Sequence, residues 1–290
     1  MKGGGLGGFD SVVGQPAAVT ALRAHLERTG GQGSTLIFGP EGTGRFLLAR
    51  CAAGSILGDE ALVEAGTHPD LTTVVPGVGI DGVRDVLAGL SRRALLAPRQ
   101  VLLVRDLDRF DEDVHHFLLK TLEEPPAGAA VFLVAEEPAL LPATVLSRCR
   151  FVRTVPLSAA DTALVLGRAG VPREAAADAD GSPGRALLHA ALGVPGDASV
   201  LVEALAGRRE DPLGDMDQIV RRRKDEEPVA QRARLVETCR VAAARLRRRL
   251  PETEGALRPV VEALRSLLGN ANPSIVFAGL VLVPWTHRRP

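Results

Sequence analysis

Residues 39–46, with the sequence GPEGTGRF, nearly complete a nucleotide-binding phosphate loop. That loop follows the pattern G-x-x-x-x-G-K-[ST], in which backbone amides and the lysine hold phosphates and the hydroxyl holds Mg²⁺. Three glycines keep the positions of the tight turn: Gly39, Gly42 and Gly44. Arg45 and Phe46 stand where the lysine and the hydroxyl residue belong, and a phenyl ring cannot ligate a metal. The segment predicts either weak phosphate binding without phosphoryl transfer or a strand-to-helix turn with a structural role only.

The elements that position this loop follow from the hydrophobic pattern of the first ~155 residues. Short apolar runs bounded by turn residues predict four strands, at residues 34–38, 71–75, 100–104 and 130–134. Because these runs are apolar on both faces, they suit a buried parallel sheet. Apolar stripes of helical spacing lie between them, including a helix from Phe46 to Leu57. Strands that alternate with helices predict a doubly wound α/β domain with right-handed crossovers.

The pattern changes from about Pro156, where strand-like runs disappear and alanine, leucine and arginine dominate. We expect short helices up to about Gly207 and then four helices, near residues 215–224, 227–249, 254–269 and 273–283. The charged run RRRKDEE at residues 221–227 is typical of a solvated helix face. The sequence therefore predicts three parts: residues 1–155, 156–207 and 208–290.

Composition limits the classes of partner and compartment. The 290 residues carry a formal net charge of zero, so no global field draws the chain to nucleic acid or membrane. Cys51, Cys149 and Cys239 are scattered without a C-x-x-C pair, which argues against a zinc site and favours a reducing cytosol. We expect a soluble cytoplasmic protein without a bound metal.

Several longer motifs resemble one family. HHFLLKTLEEPP (115–126) and FLVAEEPALLPATVLSRCR (132–150) resemble the clamp-loader branch of the AAA+ ATPases, whose fold is a phosphate-loop α/β domain followed by helical domains. AGTHPDLTTVVP (65–76) and IDGVRDV (80–86) narrow the likeness to the delta-prime family of DNA polymerase III subunits, and FDSVVGQPAAVTAL (9–22) resembles the segment beside the adenine. The likeness extends over residues 9 to about 155, weakens over 156–207, and beyond that rests on helical character alone.

The resemblance implies that this chain lacks ATPase activity of its own. Aligned on LLKTLEEPP without gaps, the family's Asp-Glu-x-Asp falls on Arg105, Asp106, Leu107 and Asp108. Arg105 then replaces the aspartate that holds Mg²⁺; a shift of one residue would instead put Leu107 in place of the glutamate that activates water. The polar sensor of the family falls on Ala135 or Glu136. The lysine–hydroxyl pair, the acidic pair and the sensor are therefore all altered. We expect no firmly bound cofactor, and at most weak nucleotide binding without hydrolysis.

One element of the resemblance is intact: the motif Ser147–Arg148–Cys149. In this family the arginine projects into the ATP of a neighbouring subunit, where a guanidinium supplied in trans stabilises the charge on the transferred phosphoryl group. The alternative is that Arg148 pairs with a local carboxylate. GSPGRA (181–186) resembles the second arginine sensor, and for Arg185 we favour a packing or capping role over nucleotide contact.

For several other polar residues we expect structural roles. His68 and Asp70 are expected to fix a turn into the second strand, His115 and His116 to lie on the exposed side of their helix, and Glu123 and Glu124 to end that helix. Arg84, Arg92 and Arg93 could follow DNA phosphates, but an ordinary exposed helix face is favoured.

The resemblance implies an AAA+ α/β domain at 1–155, a small helical lid at 156–207 and a helical collar at 208–290. The expected function is a stator within the DNA polymerase III assembly, acting with gamma/tau-type motor subunits and a delta-type clamp-opening subunit. Sliding clamp and primer-template DNA would be reached through that complex. Two alternatives stay open: a competent AAA+ ATPase in which Arg45 acts as the lysine, and a homo-oligomeric remodeller such as a branch-migration motor.

Overall fold

The computed structural model describes residues 8–90, 93–126, 129–221, 226–249 and 253–286. The chain divides into two compact units. The first contains residues up to Val165 together with Gly181–Gly184, and the second contains Leu166–Asp180 and the residues from Arg185 onward.

A parallel five-stranded sheet forms the first unit. Its strands are β1 (Gly33–Phe38), β2 (Leu71–Val74), β3 (Gln100–Val104), β4 (Ala129–Ala135) and β5 (Cys149–Arg153), in the spatial order β2-β3-β4-β1-β5. The helices of this part of the chain are α1 (Pro16–Thr29), α2 (Arg45–Leu57), α3 (Glu60–Ala65), α4 (Ile80–Gly89), α5 (Glu112–Glu123), α6 (Ala143–Leu146) and α7 (Ala159–Arg168), the last of which crosses the boundary between the units. Short 3-10 helices lie at Gly8–Ser11, Leu107–Arg109 and Pro138–Leu140.

Apolar side chains cover both faces of the sheet, as the continuous apolar runs predict. Ile37 and Phe132 pack on one face with residues of α1 and α2. Leu36 and Leu133 pack on the other face with residues of α4 and α5. Because successive side chains of a strand point to opposite faces, each strand contributes to both cores. The four predicted strands and the doubly wound α/β class are confirmed, and the phosphate loop follows the end of β1.

The fifth strand, β5, was not predicted from the sequence. It lies at the edge of the sheet, pairs with β1 alone, and only Val152 is fully buried along it. An edge strand with one buried face gives an alternating signal that is weaker than that of a central strand.

The second unit is helical among its described residues. It contains the 3-10 helix Arg173–Asp178, most of α8 (Pro183–Ala191), and α9 (Val194–Leu205), α10 (Pro212–Val220), α11 (Pro228–Arg247), α12 (Glu254–Leu268) and α13 (Pro273–Thr286). Helices α9 to α13 share one apolar core. The boundary at residue 207 stays a prediction. Of the predicted solvated helix face at 221–227, residues 222–225 lie outside the described residues; the prediction is wrong for Glu226, which lies between α10 and α11 and has a side chain only 8% exposed because it pairs with Arg234.

A buried arginine organises this helical core. The Arg234 side chain, 1% exposed, donates hydrogen bonds to Glu226, to Asp197 and to the backbone oxygen of Ile219. A guanidinium can be buried at this depth because carboxylates and carbonyls accept hydrogen bonds from its N–H groups.

No single helix among those described is long and apolar enough to cross a membrane. Helices α8 and α9 together reach that length and hydropathy, but the chain bends by 80° between them.

Candidate functional site

The glycine-rich loop between β1 and α2 has the backbone geometry of a phosphate loop. Gly39, Gly42 and Gly44 have φ values of 142°, 75° and 99°, a region that favours glycine. A Cβ at position 39 would lie 2.4 Å from the backbone oxygen of Thr154, so the glycine there is also required by close packing. The helix α2 begins directly after the loop, at Arg45.

Arg45 turns into the protein. It is 5% exposed, and its Nη2 lies 4.0 Å from Oδ1 of Asp106, the second residue after β3. Burial lowers the pKa of Arg45, while the carboxylates of Glu136 and Asp106 act in the opposite direction. An arginine side chain stays charged in proteins, so it brings an internal positive charge to the place where phosphates would sit. Its Nη1 has no hydrogen-bond partner among the described residues.

Arg105 and Asp108 also have interactions inside the chain. The guanidinium of Arg105 lies over the ring of Phe46, 5.3 Å from its centroid, and its Nε is 3.2 Å from Asp106. Asp108 accepts hydrogen bonds from the backbone amides of Glu136 and Glu137, at 2.9 and 3.0 Å. The acidic segment after β3 therefore pairs with Arg45 and Arg105 and caps the loop that follows β4.

Gln15 fixes the phosphate loop from the side of α1. Its Nε2 donates to the backbone oxygens of Thr43 and Val155, at 3.2 and 2.6 Å, and its Oε1 accepts from the amide of Val155. The Oγ1 atoms of Thr43 and Thr154 are 2.8 Å apart. All of these polar side chains are buried, so the loop is joined to the end of β5 by a network that water does not reach.

The segment Gly181–Gly184 of the same unit packs directly on the phosphate loop. The Ser182 hydroxyl donates to the backbone oxygen of Glu41 at 2.7 Å, and the Gly184 amide donates to the backbone oxygen of Gly42 at 2.9 Å. A Cβ on Gly184 would lie 2.7 Å from the Cα of Gly42. Residue 184 must therefore be small, because two backbone segments touch there.

These residues do not fit a metal-bound triphosphate. The hydroxyl that would hold Mg²⁺ is replaced by a phenyl ring under a guanidinium, and the ammonium is replaced by a buried guanidinium that faces Asp106. Ala135, one of the two candidates for the sensor position, is fully buried at the end of β4 and has no polar side-chain atom, and the other candidate, Glu136, is a carboxylate that would repel phosphate. We therefore derive no hydrolytic step at this loop.

Arg148 lies just after α6, with a third of its side chain exposed. Its Nη1 donates to the backbone oxygen of Thr144 at 2.8 Å and to the hydroxyl of Ser147 at 3.2 Å. Its Nη2 donates to Oε1 of Glu123, the last residue of α5, at 2.5 Å. The local-carboxylate contact that the sequence left open is thus present.

Burial raises the pKa of Cys149 to about 11, so this thiol is neutral at pH 7 and contributes packing rather than nucleophilic chemistry.

Arg185, in the second unit, lies in the first turn of α8. On that helix His189 is within 2.9 Å of Glu237 from α11. Burial alone would raise the pKa of Glu237, but the hydrogen bond with His189 and the charges of Arg240 and Arg185 hold it below its usual value. Arg185 therefore contributes to the electrostatics of a buried pair within this unit, and a sensor role stays a prediction.

The structure corrects one histidine assignment and places Arg84, the basic residue of α4. His115 is 5% exposed, and its Nε2 donates to the backbone oxygen of Leu107 at 2.9 Å, because a carbonyl can only accept. The expectation of an exposed His115 is wrong, whereas His116 is exposed. Arg84 pairs with Asp81 and lies over the Phe117 ring, and Arg92 lies outside the described residues.

Comparison with known proteins adds an independent line of evidence. The family model described as "DNA polymerase III, delta subunit" matches residues 14–158, half of the chain. The chain is similar to the DNA polymerase III subunit delta' of Escherichia coli, with 42% identity over 100 residues, 33% of this chain and 30% of that protein. It is 28% identical to the subunit delta' of Bacillus subtilis over 158 residues, 49% of this chain and 48% of that protein. The matched segments span less than half of the length of these relatives.

Solved structures agree on the fold. A DNA polymerase III gamma subunit-related protein from Thermotoga maritima superimposes with a TM-score of 0.63 at 17% identity, covering 94% of this chain and all of that chain. A Thermotoga maritima RuvB mutant superimposes with a TM-score of 0.52 at 16% identity. The parallel α/β domain followed by helices therefore has the fold of these proteins. With half of the sequence matched by the family model, the chain belongs to the delta-prime family of DNA polymerase III clamp-loader subunits.

Proposed function

We propose that this chain is the stator of a bacterial clamp loader and supplies Arg148 in trans to the ATP of a neighbouring motor subunit. One contrast carries the proposal. In the chain's own phosphate loop, the side chain of Arg45 is buried and faces Asp106. The side chain of Arg148, by contrast, is a third exposed and has only exposed partners. A chain whose own loop lacks the hydrolytic residues, but which carries an accessible arginine elsewhere on the sheet domain, suits a subunit that completes the site of another.

The energetics favour release of Arg148 to a partner. Its ion pair with Glu123 joins side chains that are 33% and 49% exposed, and such surface pairs contribute about 0–1 kcal/mol. Arginine forms stronger, bidentate contacts with phosphate oxygens in a site closed to water. A neighbouring triphosphate can therefore displace Glu123 at small cost.

The remaining assignments belong to the same proposal. Residues 1–155 would be the AAA+ domain, 156–207 the lid, and 208–290 the collar that joins gamma/tau-type motor subunits and a delta-type clamp-opening subunit. The chain would act on the sliding clamp and primer-template DNA through that complex, in the cytoplasm. Any nucleotide bound by the loop itself would be held weakly and without hydrolysis.

The test is ATP hydrolysis in the reconstituted assembly. The chain alone should hydrolyse no ATP above background, while its addition to the motor and clamp-opening subunits should raise DNA-stimulated hydrolysis. Arg148→Ala should assemble normally and lose this stimulation. If Arg148→Ala stimulates as well as the wild type, the assigned role is wrong.

The two alternatives make different predictions. A competent AAA+ ATPase would show Mg²⁺-dependent turnover by the isolated chain that Gly44→Val abolishes. A homo-oligomeric remodeller would form rings of this chain alone, which light scattering would detect. The stator proposal predicts neither result.

A further inference from the structure

Two adjacent leucines project from the loop of residues 93–99, which we call the leucine loop. Leu95 is 76% exposed and Leu96 is 72% exposed. The loop precedes β3, so it lies at the edge of the sheet where the parallel strands begin, away from the phosphate loop at the strands' other ends. Single exposed leucines are ordinary, but two neighbours with this exposure form a compact apolar projection.

Hydrogen bonds to one buried carboxylate, that of Asp70, hold the leucine loop in place. Three consecutive amides, those of Leu95, Leu96 and Ala97, donate to the carboxylate of Asp70 at 2.6, 2.8 and 2.8 Å. Asp70 is 1% exposed, and its own amide donates to Nδ1 of His68. The His-Pro-Asp motif thus holds a distant loop in one conformation. A loop ordered in advance loses little conformational entropy on binding.

The surroundings of the leucines are basic. Arg93 and Arg99 belong to the leucine loop, which contains no acidic residue. Nη2 of Arg99 donates to the backbone oxygen of Thr29, the residue that follows Arg28 at the end of α1. Within the described part of the chain, none of these three arginines forms an ion pair with a carboxylate. Positive charge is therefore available to a partner.

We propose that Leu95 and Leu96 insert into an apolar pocket, bordered by carboxylates, on a protein of the assembly that this chain joins. This inference rests on the proposed function. Leucine side chains favour a protein over DNA, because they offer nucleic acid neither a stacking surface nor a hydrogen bond. The basic rim of Arg28, Arg93 and Arg99 complements an acidic border and would speed encounter.

The test compares Leu96→Ser with Leu164→Ser, a control on α7 whose leucine is 49% exposed. The full-length chain, labelled with a fluorophore, is titrated with the purified motor subunit, clamp-opening subunit and sliding clamp, and with primer-template DNA. We expect Leu96→Ser to weaken binding to one of these proteins by about tenfold or more, with Leu164→Ser unchanged. Arg93→Glu should weaken the same binding, and added salt should reduce the effect of that substitution.

The outcomes separate this inference from the proposed function. If the wild type binds its partners and Leu95→Ser and Leu96→Ser both leave every protein affinity within about twofold, the inference is wrong and the stator role stands. A loss confined to DNA, or a loss only of self-association, would also overturn it. If the wild type binds none of these proteins, both fail together. Thermal unfolding of each variant shows whether a weaker affinity reflects lost folding instead.

Discussion

Nη2 of Arg148 donates a hydrogen bond to Oε1 of Glu123 at 2.5 Å, joining the motif Ser-Arg-Cys to the end of LLKTLEEPP. The two residues are 25 positions apart in sequence and meet because α5 and α6 pack together. Glu123 thereby holds the guanidinium in the free chain. A neighbour's phosphate must compete with this carboxylate for Arg148.

Glu123→Ala tests this competition. Because the pair is exposed, we expect the free energy of unfolding to change by less than about 1 kcal/mol. We expect DNA-stimulated hydrolysis at subsaturating concentrations of this chain to be kept or to rise, by up to about fivefold for a contact of that strength. Glu124→Ala, at the exposed next position, is the control. A fall in hydrolysis as large as that of Arg148→Ala would show that Glu123 positions the arginine for catalysis.

Gly184→Ala should destabilise the phosphate-loop region, because the new Cβ would lie 2.7 Å from the Cα of Gly42. Overpacking of this kind costs about 1–3 kcal/mol. Gly89→Ala, at the end of α4 with no atom within 4 Å of the added Cβ, is the matched control and should be neutral or slightly stabilising. Urea unfolding of both variants measures the difference. Equal stability of the two variants would mean that the loop and Gly184 separate readily.

Asp70→Asn should lower stability in a pH-dependent way. Burial would raise the pKa of Asp70, but the amides of Leu95, Ala97 and Leu96 outweigh it and hold the pKa below its ordinary value. A carboxylate with a lowered pKa contributes stability above its unfolded pKa of about 3.9, and this is lost as the pH falls through the folded pKa. We expect a loss of about 1–3 kcal/mol at pH 7 that shrinks in increasingly acidic solution.

Asp81→Asn is the control for this pH series, because Asp81 is exposed and its pair with Arg84 is weak. Denaturant unfolding between pH 7 and pH 3 gives both curves. A difference between Asp70→Asn and the wild type that stays constant down to the acid end would mean that the charge of Asp70 is not what holds the leucine loop.

The double variant Arg45→Lys with Phe46→Thr should gain no ATPase activity. It restores the phosphate-loop pattern, but Arg105 still follows β3, and Ala135 and Glu136 still stand where the polar sensor is expected. In the ungapped register the aspartate that holds Mg²⁺ is still missing, and in the shifted register the glutamate that activates water is still missing. Mg²⁺-dependent hydrolysis of radiolabelled ATP by the isolated variant is the measurement. Clear turnover, abolished by adding Gly44→Val, would show that the acidic segment after β3 is catalytically competent.

Much of the fold was predictable because its signals are local. The apolar runs of β1, β3 and β4 are buried on both faces, and such runs identify themselves without tertiary information. The edge strand β5 was missed because its pattern, CRFVR, leaves mainly Val152 buried and is interrupted by exposed arginines. Its pairing with β1 is a long-range contact that hydrophobic periodicity does not report.

The candidate site, like the fold, combines features that local sequence predicts with features that depend on long-range contacts. The substitutions at Arg45 and Phe46 were evident from spacing alone, but the direction of Arg45 towards Asp106 depends on how two strand ends meet. The prediction of an exposed His115 was wrong because a hydrogen bond to the backbone oxygen of Leu107 stabilises the ring in a buried position beside the apolar stripe, and a sequence pattern does not show that bond. The role of Asp70 was only half predicted. It fixes a turn, but through amides 25 to 27 residues away.

The central claim is that Arg148 works in another subunit's ATP site, and single-turnover ATP hydrolysis by the reconstituted assembly tests it most directly. Arg148→Ala should slow hydrolysis at the adjoining site by at least about tenfold, since arginines supplied in trans contribute roughly 10³–10⁵ in other systems. Arg150→Ala, two residues further on and also exposed, should hydrolyse ATP like the wild type. Equal rates for Arg148→Ala, Arg150→Ala and the wild type in a fully assembled complex would contradict the account.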